Sequence, residues 1–458
     1  MKKEQTISEE NKMGVMPVNR LLVTMALPMM ISMLVQALYN VVDSIFVSQI
    51  SEDALTAVSM AFPMQNLLIG LATGIAVGMN ALVSKALGEK KSELANHMAM
   101  HGIFLALCAY LLFLVLGLTI SRIFFVVQGA SDTIAQYGHD YLIIIMCVSF
   151  GVYIEVIYER LLQSTGKTIY TMFTQGIGAI INIIMDPMLI FGIGIFPKMG
   201  IRGAAAATVL GQIVAAILAV ILNTRKNTDI QLDFRKFRLD IKAISNILFI
   251  GIPSVIMVAI GSVMTFCVNK ILIAFSSTAV AVFGVYYKLQ SFAFMPVFGM
   301  NNGMVPIIAY NYGAQKPDRI MKTLKLAAFY ATCIMLIAFA IMQTIPGTLL
   351  HLFSASDEML AIGIPALRTI SISFLFAGVS VICSSFFQAM GCSIYSMLIS
   401  IMRQLVCLIP LAYLFAQTGD VTKVWLAWPI AEVVSIACGL FFLNRINKKM
   451  IQPMRQAQ

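Results

Sequence analysis

Twelve apolar stretches, each about as long as the roughly 20 residues that cross a bilayer's hydrocarbon or longer, restrict this chain to a bundle of membrane-spanning helices. They lie near residues 21–48, 54–84, 97–120, 134–158, 169–192, 203–223, 243–275, 278–308, 323–346, 358–389, 394–416 and 424–443. Hydrophobic residues make up 59% of the 458 and charged ones 11%, too little polar sequence to clothe a water-soluble surface of this size.

A second regularity orders the spans. At an offset of 225, Pro28 falls on Pro253, Gln65 on Gln290, Gly74 on Gly299, Gly78 on Gly303, Gly88 on Gly313, Gln163 on Gln388, Gly166 on Gly391 and Tyr170 on Tyr395. The matches favour residues that set bends and close helix contacts. Six spans separate repeat partners, and an even number restores the direction of crossing. The repeats are therefore parallel, about a pseudo-two-fold axis along the membrane normal, an arrangement found in transporters. The expected fold is an all-α integral membrane protein of twelve transmembrane helices in two pseudo-symmetric six-helix lobes. These are residues 1–222 and 243–458, joined by a charged cytoplasmic linker at 223–242.

The formal charge of +10 raises the question of nucleic acid, and its distribution answers it. With the N-terminus inside, the inner segments carry Lys2, Lys3, Lys12, Arg20, Lys85, Lys90, Lys91, Arg160, Lys167, Arg225, Lys226, Arg235, Lys236, Arg238, Lys242, Lys316, Arg319, Lys322, Lys325, Arg445, Lys448, Lys449 and Arg455. The outer loops carry only Arg122, Lys198, Arg202 and Lys423. The positive-inside rule then puts both termini in the cytoplasm, and the basic excess is an orientation signal that needs no nucleic-acid partner. The polar first 19 residues lack the apolar core of a signal peptide, so the first span is expected to stay in the mature chain. The eight cysteines lie in or beside spans without metal-ligand spacing and read as packing residues.

Carboxylates at bilayer depth cost about 2.5–3.5 kcal/mol even on a lenient scale, so each needs a partner or a purpose. Gln36, Tyr39, Asn40 and Asp43 are spaced i, i+3, i+4, i+7 and share one helical face. Asp186 stands four residues after Asn182 and eleven after Gln175, again one face, and Pro187 follows it to loosen the helix. Two aspartates on polar faces of one half suggest a cation site for a proton, a sodium ion or a cationic substrate. Pro28, Pro187, Pro253, Pro296 and Pro410 invite bends within spans. Glu155 and Glu159 lie at the inner end of span four, Glu159 free to pair with Arg160 or a neighbouring helix, or to sit in the interface. Arg403 and Glu432 are expected to form a polar pair in the second lobe. His97 and His101 share a face at i, i+4, but no third metal ligand is visible, and they read as interfacial.

Pro28 fifteen residues before Asp43, the NIIMDP stretch from Asn182 to Pro187, and YKLQSFAFMPVFGMNNGMVPIIAYNYGAQ from Tyr287 to Gln315 resemble the multidrug and toxic compound extrusion (MATE) family, in its bacterial branch. The resemblance covers almost the whole chain. It implies a monomeric antiporter of the cell membrane that needs no cofactor and expels amphipathic, often cationic drugs while H+ or Na+ runs inward. It also implies a first-lobe cation cluster of Asp43, Asn182 and Asp186, with Thr208 of span six joining them, and Na+ as one candidate ion there. Some family members add acidic residues in spans seven and ten. Here span seven has none, and Asp357 and Glu358 sit at the outer mouth of span ten.

The expected mechanism takes substrate into a cavity between the lobes, rich in Met and Phe, and releases it when a cation neutralises Asp43 and Asp186. Two alternatives remain. A lipid or oligosaccharide-lipid flippase would need more intramembrane base than Lys270, Lys288, Arg368 and Arg403, and an intramembrane enzyme would need a motif such as HExxH or GxSxG that the chain lacks. Projected through the offset, Gln36, Asn40 and Asp43 become Gly261, Thr265 and Val268, while Asn182 and Asp186 become Cys407 and Leu411. The duplication keeps bends and glycine contacts but not the carboxylates, so the ion chemistry is expected in the first lobe alone.

Overall fold

In lipid every backbone polar group must be satisfied within its own segment, and the chain meets that demand with helices throughout. The computed structural model describes residues 11–353 and 355–456, and no strand occurs among them; Lys2 and Lys3 of the orientation argument lie outside the described residues. The spans are α1 (Val18–Ser48), α2 (Glu52–Gly88), α3 (Ser92–Val127), α4 (Asp132–Cys147), α5 (Phe150–Ser164), α6 (Thr168–Phe191), α7 (Ile201–Lys226), α8 (Ile241–Ile273), α9 (Ser277–Gly313), α10 (Pro317–Thr344), α11 (Asp357–Ser371), α12 (Phe374–Ala389), α13 (Ser393–Ala416) and α14 (Val421–Gln456). Ten are long and apolar enough to cross a bilayer alone. Two bent pairs, α4 with α5 and α11 with α12, bring the crossings to twelve.

The repeat survives in atomic detail. α2 and α9 are 37 residues each, and each starts on a serine whose hydroxyl accepts the third backbone N–H at 3.0 Å, Ser51 from Ala54 and Ser276 from Ala279. Lys90 and Gln315, repeat partners, both adopt a left-handed backbone at φ 59° and 55°. The two bends are equivalent as well, 44° after Cys147 and 51° after Ser371. Neither break holds a proline. There the Ser149 hydroxyl donates to the Met146 carbonyl at 2.8 Å and the Ser373 hydroxyl to the Ile370 carbonyl at 2.7 Å, each beside the backbone N–H of the same serine, which reaches the same oxygen. Pro28, Pro187 and Pro253 sit inside continuous helices.

Where the halves meet, the glycines that the offset matches carry the contact. A β-carbon on Gly74 would stand 2.5 Å from the Val255 side chain and 2.9 Å from the Gly251 carbonyl oxygen, and one on Gly78 would strike the Ile247 carbonyl oxygen, all on α8. Reciprocally, a β-carbon on Gly299 would stand 2.5 Å from Met30 Cα and one on Gly303 2.7 Å from Ala26 Cα, both on α1. Gly88 and Gly313 close the seam, against the Tyr310 and Lys85 carbonyls respectively. Each half thus lays its second helix on the first helix of the other, at a separation only glycine permits. Consequently Leu21, Leu22, Met25 and Ala26 of α1 belong to the apolar core of the second half, while Val47 belongs to that of the first.

A helical turn before α1, Lys12–Val15, bridges one end of this seam. Asn11 donates to the Thr165 carbonyl at 3.3 Å. From the second half, Asn311 and Arg319 donate to the Met13 carbonyl, each at 3.0 Å, and Lys316 to that of Gly14 at 2.9 Å.

Candidate functional site

The polar faces of α1 and α6 turn into the first half and meet there. Asp186 is fully buried, Asn182 is 3% exposed and Asp43 is half-buried. The carboxyl groups of Asp43 and Asp186 lie within hydrogen-bonding reach of each other. Both are acceptors when ionised, so neither satisfies the other. Asp43 Oδ1, both oxygens of Asp186 and the amide oxygen of Asn182 are buried without a donor. Asn182 Nδ2 donates to Thr208 Oγ1 at 3.4 Å, and that hydroxyl donates to the Ala204 carbonyl at 3.1 Å. Four orphaned oxygens beside a hydroxyl form a hard, all-oxygen set, the donor chemistry that suits a proton or an alkali cation. Tyr39 and Tyr141 are within electrostatic reach of both carboxylates, and Tyr141 accepts from Gln65 Nε2 at 2.8 Å.

Beside this cluster lies a cavity of about 150 Å³. Gln36, Tyr39, Glu155, Glu159, Arg160, Gln175, Asn182, Thr208 and Gln212 give it its polar character, and Asn302 of α9 is its one residue from the second half. The cavity expected between the lobes was to be rich in Met and Phe. This one is polar, within the first half, with Met33 its single methionine and no phenylalanine. Met25, Met29, Phe294, Met300 and Met304 are buried.

Two members of the predicted polar faces go elsewhere. Asn40 is exposed, outside both the cluster and the cavity. Tyr39 and Asn40 are about 100° apart around the helix, and the face turned inward is that of Tyr39. Gln175 turns from Asp186 to Glu159. Glu159 is 3% exposed and does not pair with Arg160. Its Oε1 accepts from Thr174 at 2.6 Å and its Oε2 from Gln175 at 2.7 Å, while the Gln175 amide oxygen accepts the hydroxyl of Ser32 on α1. Arg160 donates to Gln163 and to Asn302, each at 2.9 Å, the latter reaching across the seam. The sequence offered one signal for this network, an intramembrane i, i+4 glutamate pair, but not its partners on α6 and α1.

In the second half Arg403 and Glu432 form the expected pair at 3.2 Å. Arg403 sits in a π-helical stretch, Ile401–Leu408, and Glu432 keeps Oε1 without a donor. His97 and His101 bind the segment between α7 and α8. His97 Nε2 contacts Asp240 at 3.2 Å and His101 Nε2 accepts the Asp240 backbone N–H at 2.9 Å.

A duplicated twelve-span bundle with a buried, donor-poor carboxylate cluster beside a polar cavity defines a membrane transporter. The chain belongs to the MatE family, whose model matches it twice, over residues 28–188 and 253–414, the two starts falling on the repeat partners Pro28 and Pro253. Among similar proteins are an FAD transporter of Shewanella oneidensis, 26% identical with 92% of this chain and 94% of that one covered, and the multidrug export protein MepA of Staphylococcus haemolyticus, 25% identical with 93% of each covered. A solved structure described as the outward-facing conformation of a multidrug resistance MATE family transporter superposes with a TM-score of 0.91 at 25% identity, over 99% of this chain and 100% of that one. A MATE in complex with MaL6 gives 0.90 at 25% identity, over 98% and 100%.

Proposed function

We propose that this chain is a secondary active multidrug efflux antiporter of the cell membrane, exporting amphipathic, often cationic compounds in exchange for H+ or Na+. The observation that carries the reading is the cluster of Asp43, Asn182 and Asp186, whose four buried oxygens lack any donor and whose two carboxylates repel each other. Like charges so placed demand a shared cation. Na+ would be held by the Asp43 and Asp186 carboxylates with the Asn182 and Thr208 oxygens, and a proton by the carboxylate pair. Loading that site and loading substrate oppose each other, and the opposition is reciprocal. The working unit is one copy of the chain, with lobes at 1–222 and 243–458 about the 223–242 linker and both termini cytoplasmic.

The name of the Shewanella relative favours a second reading, export of a flavin nucleotide. A pyrophosphate needs convergent cations. Arg160 is the one cation lining the cavity, against Glu155 and Glu159, and it is already engaged by Gln163 and Asn302. That balance favours cations. Proteoliposomes loaded with ethidium or with FAD, driven by a sodium gradient or a pH gradient imposed separately, test both readings. Ethidium moves under one gradient and stops moving in Asp43→Asn and Asp186→Asn. Undiminished efflux in both variants sinks the coupling reading, and FAD transport without ethidium transport replaces the substrate.

A further inference from the structure

The bonds around Glu159 all run one way. Ser32 donates to Gln175 Oε1, Gln175 Nε2 donates to Glu159 Oε2, and Thr174 donates to Glu159 Oε1. An ionised carboxylate only accepts, so Glu159 fixes which end of the Gln175 amide faces it and which faces Ser32. Ser32 is 2% exposed and stands one turn beyond Pro28. There α1 already lacks one rung of its ladder, because proline has no N–H to give. The Ser32–Gln175 bond therefore ties α1 to α6 next to the helix's weakest point.

We propose that Glu159 is a positioning residue that sets the bend of α1 through Gln175 and Ser32. As a carboxylate it holds the amide in the observed orientation and gives the Ser32 hydroxyl an acceptor on α6. When a proton from water enters the cavity and binds one Glu159 oxygen, that oxygen becomes a donor. The Gln175 amide turns over, its oxygen accepts the new O–H, and its NH2 faces Ser32. Ser32 Oγ then accepts from that NH2, and its own hydrogen, with no acceptor left on α6, turns to the Pro28 carbonyl four residues back, the serine back-bond that bends helices. The one O–H bond that forms on Glu159 replaces one broken in the hydronium ion that delivers the proton and departs as water, and the proton leaves by the reverse step.

The charged and titratable groups facing Glu159 are few. Glu155 lies one turn earlier on the same helix, Arg160 is adjacent, and the Tyr39 phenol lines the same cavity. From α6, α7 and α9 the cavity presents Gln175, Asn182, Thr208, Gln212 and Asn302, all neutral. This device is separate from the Asp43–Asp186 cluster. It gives α1 a second proton-responsive hold.

The inference rests on the transport reading, and the test separates the two. Infrared difference spectra of the purified protein between high and low pH gain a protonated-carboxyl band together with a glutamine amide change. The amide change and the Glu159 component of the carboxyl band are lost in Glu159→Gln, the components from the other buried carboxyls remaining, while Ser32→Ala keeps the whole carboxyl band. In ethidium-loaded liposomes both variants lose about tenfold in kcat at acid pH with KM little changed, and the pH profile flattens. Should Glu159→Gln fail to fold, Glu159→Asp keeps a carboxyl group that no longer reaches Gln175, and the same kcat loss is expected with the band retained. A carboxyl band left unchanged by Glu159→Gln, or a wild-type pH profile in Ser32→Ala, overturns the proposal. The spectra read Glu159 even where no dye moves, so failure of the pump reading is distinguishable.

Discussion

The two halves of this molecule agree along their seam and disagree inside. Gly74 and Gly78 lie on α8 as Gly299 and Gly303 lie on α1, the serine caps and left-handed turns match at the 225 offset, and the bends fall within one residue of it. The interiors share almost nothing polar. The first half holds carboxylates without donors, and the offset replaces them with Val268 and Leu411. Its counterpart holds a charge pair, Arg403 and Glu432, at 3.2 Å. Backbone approach tolerates no drift after duplication, because any side chain larger than hydrogen collides with a carbonyl. Interior side chains are free to diverge once one half carries the chemistry.

The largest expected effect tests the shared part. Gly78→Leu and Gly303→Leu each force a side chain against neighbouring backbone, and both should destabilise by about 3 kcal/mol or more, enough to lose folded protein. Gly284, where an added β-carbon would meet nothing within 4 Å, is the control, and Gly284→Ala should fold normally. Size-exclusion profiles and thermal unfolding in detergent read all three. Equal damage on both sides supports a symmetric seam, and a tolerated Gly303→Leu breaks it.

Next comes the interior. Asp186→Asn should lower gradient-driven ethidium efflux by at least about tenfold at unchanged melting temperature, since it removes an acceptor of the driving cation rather than a packing contact. Leu411→Ala, its repeat partner, should cost stability and leave the coupled rate of the folded fraction within about twofold. Reversed outcomes at the two positions would move the ion chemistry to the second half.

Much of this comparison is legible in the sequence. Spans and repeat can be read there because hydrocarbon imposes length and because Gly, Pro and Gln at a fixed offset are specific. The donor-poor cluster shows as two polar faces. The bends do not show, since the breaks at Ser149 and Ser373 carry no proline signal. Nor does the choice of Tyr39 over Asn40, because four polar positions spread over a broad arc leave the helix rotation to its neighbours. The Glu159–Gln175–Ser32 chain needs three helices in place.

A smaller effect should follow from the second half's pair. Glu432→Gln leaves Arg403 without its charged partner, but the Arg403 side chain is 30% exposed and water takes part of the load. A loss of about 1–3 kcal/mol in stability is expected, with efflux by the folded fraction retained. Loss of transport at full stability would give Glu432 a direct role and weaken the one-sided picture.

The smallest effect concerns the segment between α7 and α8, which docks on the first half. Gln231 N–H is held by Asn96 at 2.9 Å, Asp229 by Lys167 at 3.2 Å, and Asp240 by His97 at 3.2 Å. His97 and the Lys242 backbone N–H hold the Asp240 carboxyl below the usual carboxylate range. A depressed carboxylate contributes docking above its unfolded value, about pH 4, and loses it as pH falls through the folded one. Asp240→Asn should therefore speed tryptic cleavage at the exposed Arg235 and Arg238 by a factor on the order of two to five at neutral pH, a modest change for a solvent-screened group. Wild-type protein should approach the variant's rate only under acid, assayed with an acid-tolerant protease. If the two cleave alike at neutral pH, the segment is held by its other contacts and the clamp on His97 adds nothing to the first half's hold.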